Sequence, residues 1–311
     1  MTGPAPAVAA IRVAVRRALA DVPAGASVAA AVSGGADSLA LAAALAFERP
    51  GSAALVVDHR LQPGSAAVAA RAAEQCRSLL VEPYVLTAAV DTYGGPEASA
   101  RKARYAVLDE AAERHGLGVV LLGHTLDDQA ETVLLGLARG SGARALAGMP
   151  ATRGRYRRPL LEVERATTRQ ACADAGLIPW HDPHNDDPAY ARVRVRHEVL
   201  PVLEREIGPG VAQALARTAK QLREDADALD ALASGPLSDE LDCATLADQL
   251  PAVRARVVKR WAEQQADTAV TAAHVSAVRE LVEHWHGQGP VGLPGGARVV
   301  RADGRLTCRR D

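Results

Sequence analysis

The sequence predicts an α/β protein, a doubly wound parallel sheet followed by a smaller α-rich C-terminal domain. Three observations carry this. Short apolar runs alternate with helix-compatible stretches through the first half of the chain. The runs are continuous rather than alternating, as in strands buried on both faces. From Arg139 onward Gly, Arg and Pro become frequent, and helical patterns dominate the rest of the chain.

The elements run in order along the chain. An amphipathic helix opens it, and Arg12, Arg16 and Arg17 break any continuous apolar leader. Residues 27–32, 53–57, 84–88 and 119–122 read as four strands. Each is followed by a helix, over 36–47, 65–80, 97–115 and 127–138. Residues 182–188 are dense in turn formers. Helices are expected over 212–232, 251–265 and 272–284, with a connector at 234–238. Gly292, Gly295, Gly296 and Gly304 then punctuate short terminal strands. We place a boundary near Gly208, giving a catalytic domain over 1–207 and a C-terminal domain over 208–311.

Composition narrows the function. Hydrophobic residues at 48% and charged residues at 23% exclude a disordered chain. Only 3% are aromatic, so the core is built from Ala, Val and Leu. A net charge of −1 provides no global field for nucleic acid, and any such site must be a local patch. Cys76, Cys172, Cys243 and Cys308 stand apart, which excludes a CxxC motif, a zinc knuckle and a disulfide framework. No apolar run nears the ~20 residues of a membrane span. The expectation is a reduced, cytoplasmic protein with no membrane partner.

The most informative stretch is Ser33-Gly34-Gly35-Ala36-Asp37-Ser38, between the first strand and the first helix. A helix N-terminus offers unpaired N–H groups and positive dipole charge, which suit phosphate. Gly34 and Gly35 let the backbone approach an anion closely, and Ser33 and Ser38 can donate hydroxyls. Asp37 is suited to Mg²⁺ shared with substrate phosphates. The chain has no G-x-x-x-x-G-K-[ST] and no G-x-G-x-x-G after a strand, which argues against P-loop kinases and Rossmann dehydrogenases. Two further groups sit at strand ends, where open α/β sheets bind ligands. One is Val57-Asp58-His59. The other is Gly123-His124-Thr125-Leu126-Asp127-Asp128-Gln129-Ala130-Glu131, in which Asp128 and Glu131 share a helix face. Arg101 and Arg104, on the third of these helices, are available for an anion.

Ser-Gly-Gly-x-Asp-Ser after a first strand resembles the PP-loop of the N-type ATP pyrophosphatases. That family cleaves ATP between its α and β phosphates and transfers AMP to a carbonyl-type oxygen. The longer string resembles the tRNA(Ile)-lysidine synthases over roughly residues 25–220. It adds Arg101…Arg104-Tyr105, residues 123–132, Arg158-Pro159-Leu160-Leu161, Thr168-Arg169, Trp180-His181-Asp182-Pro183, Asn185, Tyr190, Arg192 and Arg196. Two departures stand out: Arg60 and Gln62 occupy a loop where Gly and often Arg are usual, and the C-terminal part implies a short form without the extra terminal module.

The resemblance implies an ATP-dependent ligase acting on tRNA(Ile) with a CAU anticodon. C2 of the wobble cytidine is adenylated, and the ε-amine of free lysine then attacks it. ATP would be held by Ser33, Gly34, Gly35, Ala36, Asp37, Ser38, Val57 and His59. Mg²⁺ would be held by Asp37 and Asp127. Catalysis would fall to Asp37, Arg101, Arg104, His124, Asp128 and Glu131, with Asp128 and Glu131 also binding lysine. Arg192, Arg194 and Arg196 would contact tRNA; if extended, their i, i+2, i+4 spacing puts all three on one face. Arg153, Arg155, Arg157, Arg158, Arg165 and Arg169 would extend the basic patch. The alternatives are a tRNA thiolase of the same superfamily, which the isolated cysteines disfavour, and a non-catalytic nucleotide- or RNA-binding protein. Oligomeric state stays open, a homodimer included.

Overall fold

The computed structural model describes residues 3–58, 60, 64–88 and 96–310. It divides into two compact units, Met1–Leu222 and Arg223–Asp311. The division falls inside a helix rather than near Gly208.

In the first unit α1 (Pro6–Ala18) precedes β1 (Val28–Val32), α2 (Ala36–Glu48), β2 (Ala53–Asp58), α3 (Ser65–Ser78) and β3 (Glu82–Thr87). Then come α4 (Pro96–Arg114), β4 (Val119–Leu121), α5 (Leu126–Ala138), α6 (Ala143–Leu146), β5 (Thr152–Arg153), β6 (Tyr156–Arg157) and α7 (Arg165–Asp174). The sheet order is β3-β2-β1-β4-β6-β5, parallel except for β5 at the edge. Strand β1 is Val-Ala-Ala-Ala-Val, paired Ala30 to Ala54 and Ala29 to Val120. These small side chains let helices approach both faces. Leu39, Leu41 and Leu45 of α2 join Ile11, Val15, Cys76 and Leu160 on one face. Leu108, Ala111 and Ala112 of α4 pack on the other. Each fully buried Leu contributes roughly 2 kcal/mol. The strand order reverses between β1 and β4, so the loops after these two strands flank the crevice where such sheets bind ligands.

The segment through Arg192, Arg194 and Arg196 is helical, so the condition under which all three would share one face is not met. Residues from α8 (Ala191–Arg194) run helically through one wide turn, Val195–Val199, into α9 (Leu200–Glu206). In that turn the Leu200 N–H donates to the Val195 carbonyl five residues back. Pro201 has no N–H and repels the carbonyl four residues before it, which a widened turn accommodates.

Helix α10 (Val211–Leu232) spans the division. The second unit has β7 (Leu241–Asp242), α11 (Cys243–Asp248), α12 (Pro251–Ala266), α13 (Ala272–Glu283), β8 (Val291–Gly292), β9 (Ala297–Ala302) and β10 (Arg305–Arg310). Its antiparallel sheet, ordered β7-β10-β9-β8, shares a core with α12 and α13 through Trp261, Val258, Val278, Leu281, Val299 and Leu306. Among the described residues no helix is long and apolar enough to cross a membrane.

Candidate active site

A cavity of about 650 Å³ opens at the β1–β4 crevice. Its floor is the loop 33–35 with the first turn of α2. Gly34 takes φ +86°, which a side chain would strain, and Ser38 Oγ donates to the Gly35 carbonyl at 2.9 Å and accepts from Ser33 N–H at 3.1 Å. The loop is thus braced by its own hydroxyl. Gly123 lies against it: a Cβ there would come within 3.1 Å of the Asp37 carbonyl and 3.2 Å of Ser38 N. The segment after α7 closes over the loop, with Trp180 N–H donating to Gly34 O at 2.9 Å.

Ser33, Gly35, Ala36, Asp37, Ser38 and Val57 all line this cavity, and Gly34 lies in the loop just behind them. His59 falls outside the described residues, as does Gln62. Arg60 adopts φ +50° and its N–H donates to Asp58 Oδ1 at 3.0 Å, so an arginine stands in backbone that favours glycine.

Arg104, His124 and Asp128 also line the cavity. Burial, with Arg158, Arg104 and Arg101 adding to it against Asp128, pushes the His124 pKa down to about 3, so its ring is neutral. Its Nδ1 is buried without a partner. Arg104 has no carboxylate partner among the described residues, and burial lowers its pKa from the ordinary value, with neighbouring arginines pushing the same way. Arg101 stacks over Tyr105 at 5.3 Å and does not line the cavity.

Behind Asp128 lies a network that local sequence did not reveal. Thr125 caps α5 and forms a reciprocal box with Asp128, whose Oδ2 accepts the Thr125 N–H at 2.8 Å. Asp128 Oδ1 accepts from Arg165 at 2.9 Å, Arg192 at 3.3 Å and Arg196 at 3.4 Å. Glu131, fully buried, accepts from the same three guanidinia at 2.7–3.1 Å. Burial alone would raise the Asp128 pKa; Arg165, Arg192 and the Thr125 N–H outweigh it and hold the carboxyl below its usual range. Arg165 also reaches Asp127 at 3.8 Å and Asp37 at 3.9 Å. Thr168 donates its hydroxyl to Asp37 Oδ1. Burial raises the Asp37 pKa, against that hydroxyl and with help from Asp128.

Several expectations change. Arg192 and Arg196, four apart on a helical run, both turn to Asp128 and Glu131 rather than to solvent. Arg194 points elsewhere and donates to the Pro188 and Ala189 carbonyls. The three therefore do not form one RNA-facing row. Asp127 does not line the cavity; its Oδ2 accepts the Arg165 N–H at 2.8 Å and caps α7. Glu131 lies behind the wall, its oxygens already engaged. The Arg-rich stretch is divided: Arg158 is buried and donates to Pro150 O and Tyr105, Arg157 pairs with Asp21 and Arg155 with Asp109 and Glu113, while Arg153 and Arg169 are exposed and Arg169 lines the cavity. Arg165 and Thr168, read from sequence as patch and motif, belong to the site instead. Their partners lie 34 to 131 residues upstream, beyond any local signal.

Two family models match the chain, "PP-loop domain" over residues 10–203 and "TilS substrate binding domain" over 241–307. A tRNA(Ile)-lysidine synthase of Thermobifida fusca is 52% identical over the whole of both chains. One from Leifsonia xyli is 54% identical over 91% of this chain and 90% of its own. Among solved structures, the U34-tRNA thiolase NcsA from Methanococcus maripaludis aligns with a TM-score of 0.59 at 18% identity, over 70% of this chain and 80% of that one, a likeness of fold. With a PP-loop match over most of its length and relatives above 50% identity across nine-tenths or more of both chains, the chain belongs to the tRNA(Ile)-lysidine synthase family.

Proposed function

We propose that this chain converts the wobble cytidine of CAU-anticodon tRNA(Ile) to lysidine, using ATP and free lysine. The observation that carries the reading is one cavity that joins an anion-binding helix start to Asp128, a carboxylate that the surrounding arginines hold below its usual range and that can receive a single ammonium.

In the first step the C2 oxygen of cytosine attacks the α-phosphate of ATP. Pyrophosphate leaves, and the oxygen becomes part of a good leaving group. The loop 33–38 holds the phosphates, and Arg104 offsets charge on the α-phosphate. Neutral His124 donates or accepts a hydrogen bond without adding charge. In the second step the lysine ε-nitrogen attacks C2 and AMP departs with the oxygen. Lysine enters protonated, with a reference pKa of ~10.4. Asp128, on the cavity wall, receives the ammonium and accepts the proton it must lose before its nitrogen attacks C2, while Glu131 holds the arginines that orient Asp128. Asp37 fits Mg²⁺: it lines the cavity beside the loop, and its buried charge gains from a cation. Asp127 does not fit, being committed to α7. When bound, Mg²⁺ neutralises phosphate charge. None of the four cysteines lines the cavity, which disfavours the thiolase alternative.

Incubation with ATP, Mg²⁺, radiolabelled lysine and total tRNA tests the reading. Label should enter RNA with one pyrophosphate released per lysine, and Asp37→Ala should abolish both. Pyrophosphate release without lysine in RNA would return the chain to another PP-loop chemistry.

A further inference from the structure

We infer that Arg169 holds the pyrophosphate end of ATP, the part that departs when AMP is transferred. This rests on the proposed ATP-dependent chemistry and adds a residue to it.

Arg104, Arg165, Arg169 and Arg196 line the cavity. Two of them are already committed. Arg165 meets Asp128 at 2.9 Å and Glu131 at 3.1 Å, and Arg196 meets Glu131 at 2.7 Å. Arg169, like Arg104, has no carboxylate partner among the described residues, and its side chain is exposed.

The spacing along α7 sets this side chain beside the phosphate loop. Residues 165, 168, 169 and 172 follow i, i+3, i+4, i+7, one stripe of a helix. The other three members of the stripe all reach the start of α2. Arg165 approaches Asp37 at 3.9 Å, Thr168 donates its hydroxyl to Asp37, and Cys172 Sγ donates to the Ala36 carbonyl at 3.3 Å. Thr168 and Cys172 are buried and Arg165 is half-buried, whereas Arg169 is exposed, which puts it at the cavity mouth. Helix α7 packs with α2 on one face of the sheet, and α4, which carries Arg104, packs on the other. The two arginines without carboxylate partners therefore reach the cavity from opposite faces. That arrangement suits the two ends of one polyphosphate, with Arg104 at the α-phosphate and Arg169 at the β and γ phosphates.

Electrostatics favours the same assignment. When the bond between the α-phosphorus and its bridging oxygen breaks, the electron pair leaves with pyrophosphate, which gains negative charge. A helix start supplies only about half a positive unit. A guanidinium supplies a full one, with two parallel donors that match phosphate oxygens. AMP lacks the β and γ phosphates, so its binding is independent of Arg169.

The test is calorimetric binding of ATP, AMP and inorganic pyrophosphate, each with Mg²⁺, to the full chain as wild type, R169A and R169K. R169A should weaken ATP and pyrophosphate about tenfold, the low end for a hydrogen bond to a charged group, and leave AMP unchanged. R169K should recover part of the loss, as a point charge without the fork. Tm should not move, since the side chain is exposed. Wild-type ATP affinity in R169A would overturn the inference. An equal loss for AMP would overturn it too, by moving Arg169 to the nucleoside end. A loss of tRNA affinity or a higher KM for lysine, with ATP affinity intact, would give the arginine to an RNA phosphate or the lysine carboxylate instead. A wild-type chain that binds neither ATP nor pyrophosphate would overturn the functional reading beneath it.

Discussion

Replacing Glu131 by Gln removes one charge from the centre of the arginine network while keeping its shape. The carboxylate has no exposed surface and meets Arg192 Nε at 2.7 Å, Arg196 Nε at 2.7 Å and Arg165 Nη2 at 3.1 Å. In the variant an amide N–H₂ faces guanidinium donors, and three cations are left with three carboxylates of which Asp127 and Asp37 are distant. Breaking a buried pair by removing one partner costs about 3–5 kcal/mol. The three arginines are 12–29% exposed and regain some hydration, so the lower end applies, about 3 kcal/mol. For a unit of this size that lowers Tm by about 6–12 °C. Thermal unfolding followed by circular dichroism reads it. Asp127→Asn, at a carboxylate one-third exposed, is the control and should move Tm far less. A Glu131→Gln transition within about 2 °C of wild type, below the smallest shift expected, would refute the idea that this buried charge organises the wall.

Four further outcomes are expected. The folded His124 pKa of about 3 lies below its ordinary 6.5, so the unfolded chain takes up a proton that the folded one refuses. Stability should therefore fall as pH drops below 6.5, by about 1.4 kcal/mol per unit towards pH 3; denaturant titrations should lose that component in His124→Gln, and parallel curves would contradict it. Gly123→Ala puts a methyl against the backbone of Asp37 and Ser38 and should raise the KM for ATP on the order of tenfold, about 1.4 kcal/mol, with Tm little changed. Arg60→Gly relieves a left-handed backbone at φ +50° and should stabilise by about 1 kcal/mol, read as a shift in the urea midpoint. Buried Cys76 and Cys172, with pKa values pushed up to about 11 by desolvation, should resist alkylation at about pH 8 until the chain unfolds, as mass spectrometry can follow.

The crossover helices and buried strands were legible because their periodicity is local: Leu39, Leu41 and Leu45 lie in one apolar helix, and Val-Ala-Ala-Ala-Val reads as a strand buried on both faces. The phosphate loop was legible for the same reason, since glycines, serines and Asp37 lie within six consecutive residues. The row of arginines at 192, 194 and 196 misled because alternation describes a strand only if the backbone is extended. Nothing in that segment announces extension, and its acid partners are out of reach of any sequence window.

By itself, then, the sequence determined the elements and the phosphate-binding loop, because neighbouring residues set backbone geometry and helix-end electrostatics. Tertiary structure decided which charges meet. Asp128 was readable as a carboxylate near a strand end, but whether it faced solvent, metal or arginine depended on α7 and α8 packing against α5. The same holds for Asp127, which caps another helix, and for Arg169, which the packing of α7 against α2 brings to the cavity. Coulomb energies depend on distance and burial, and neither is a property of a residue's position along the chain.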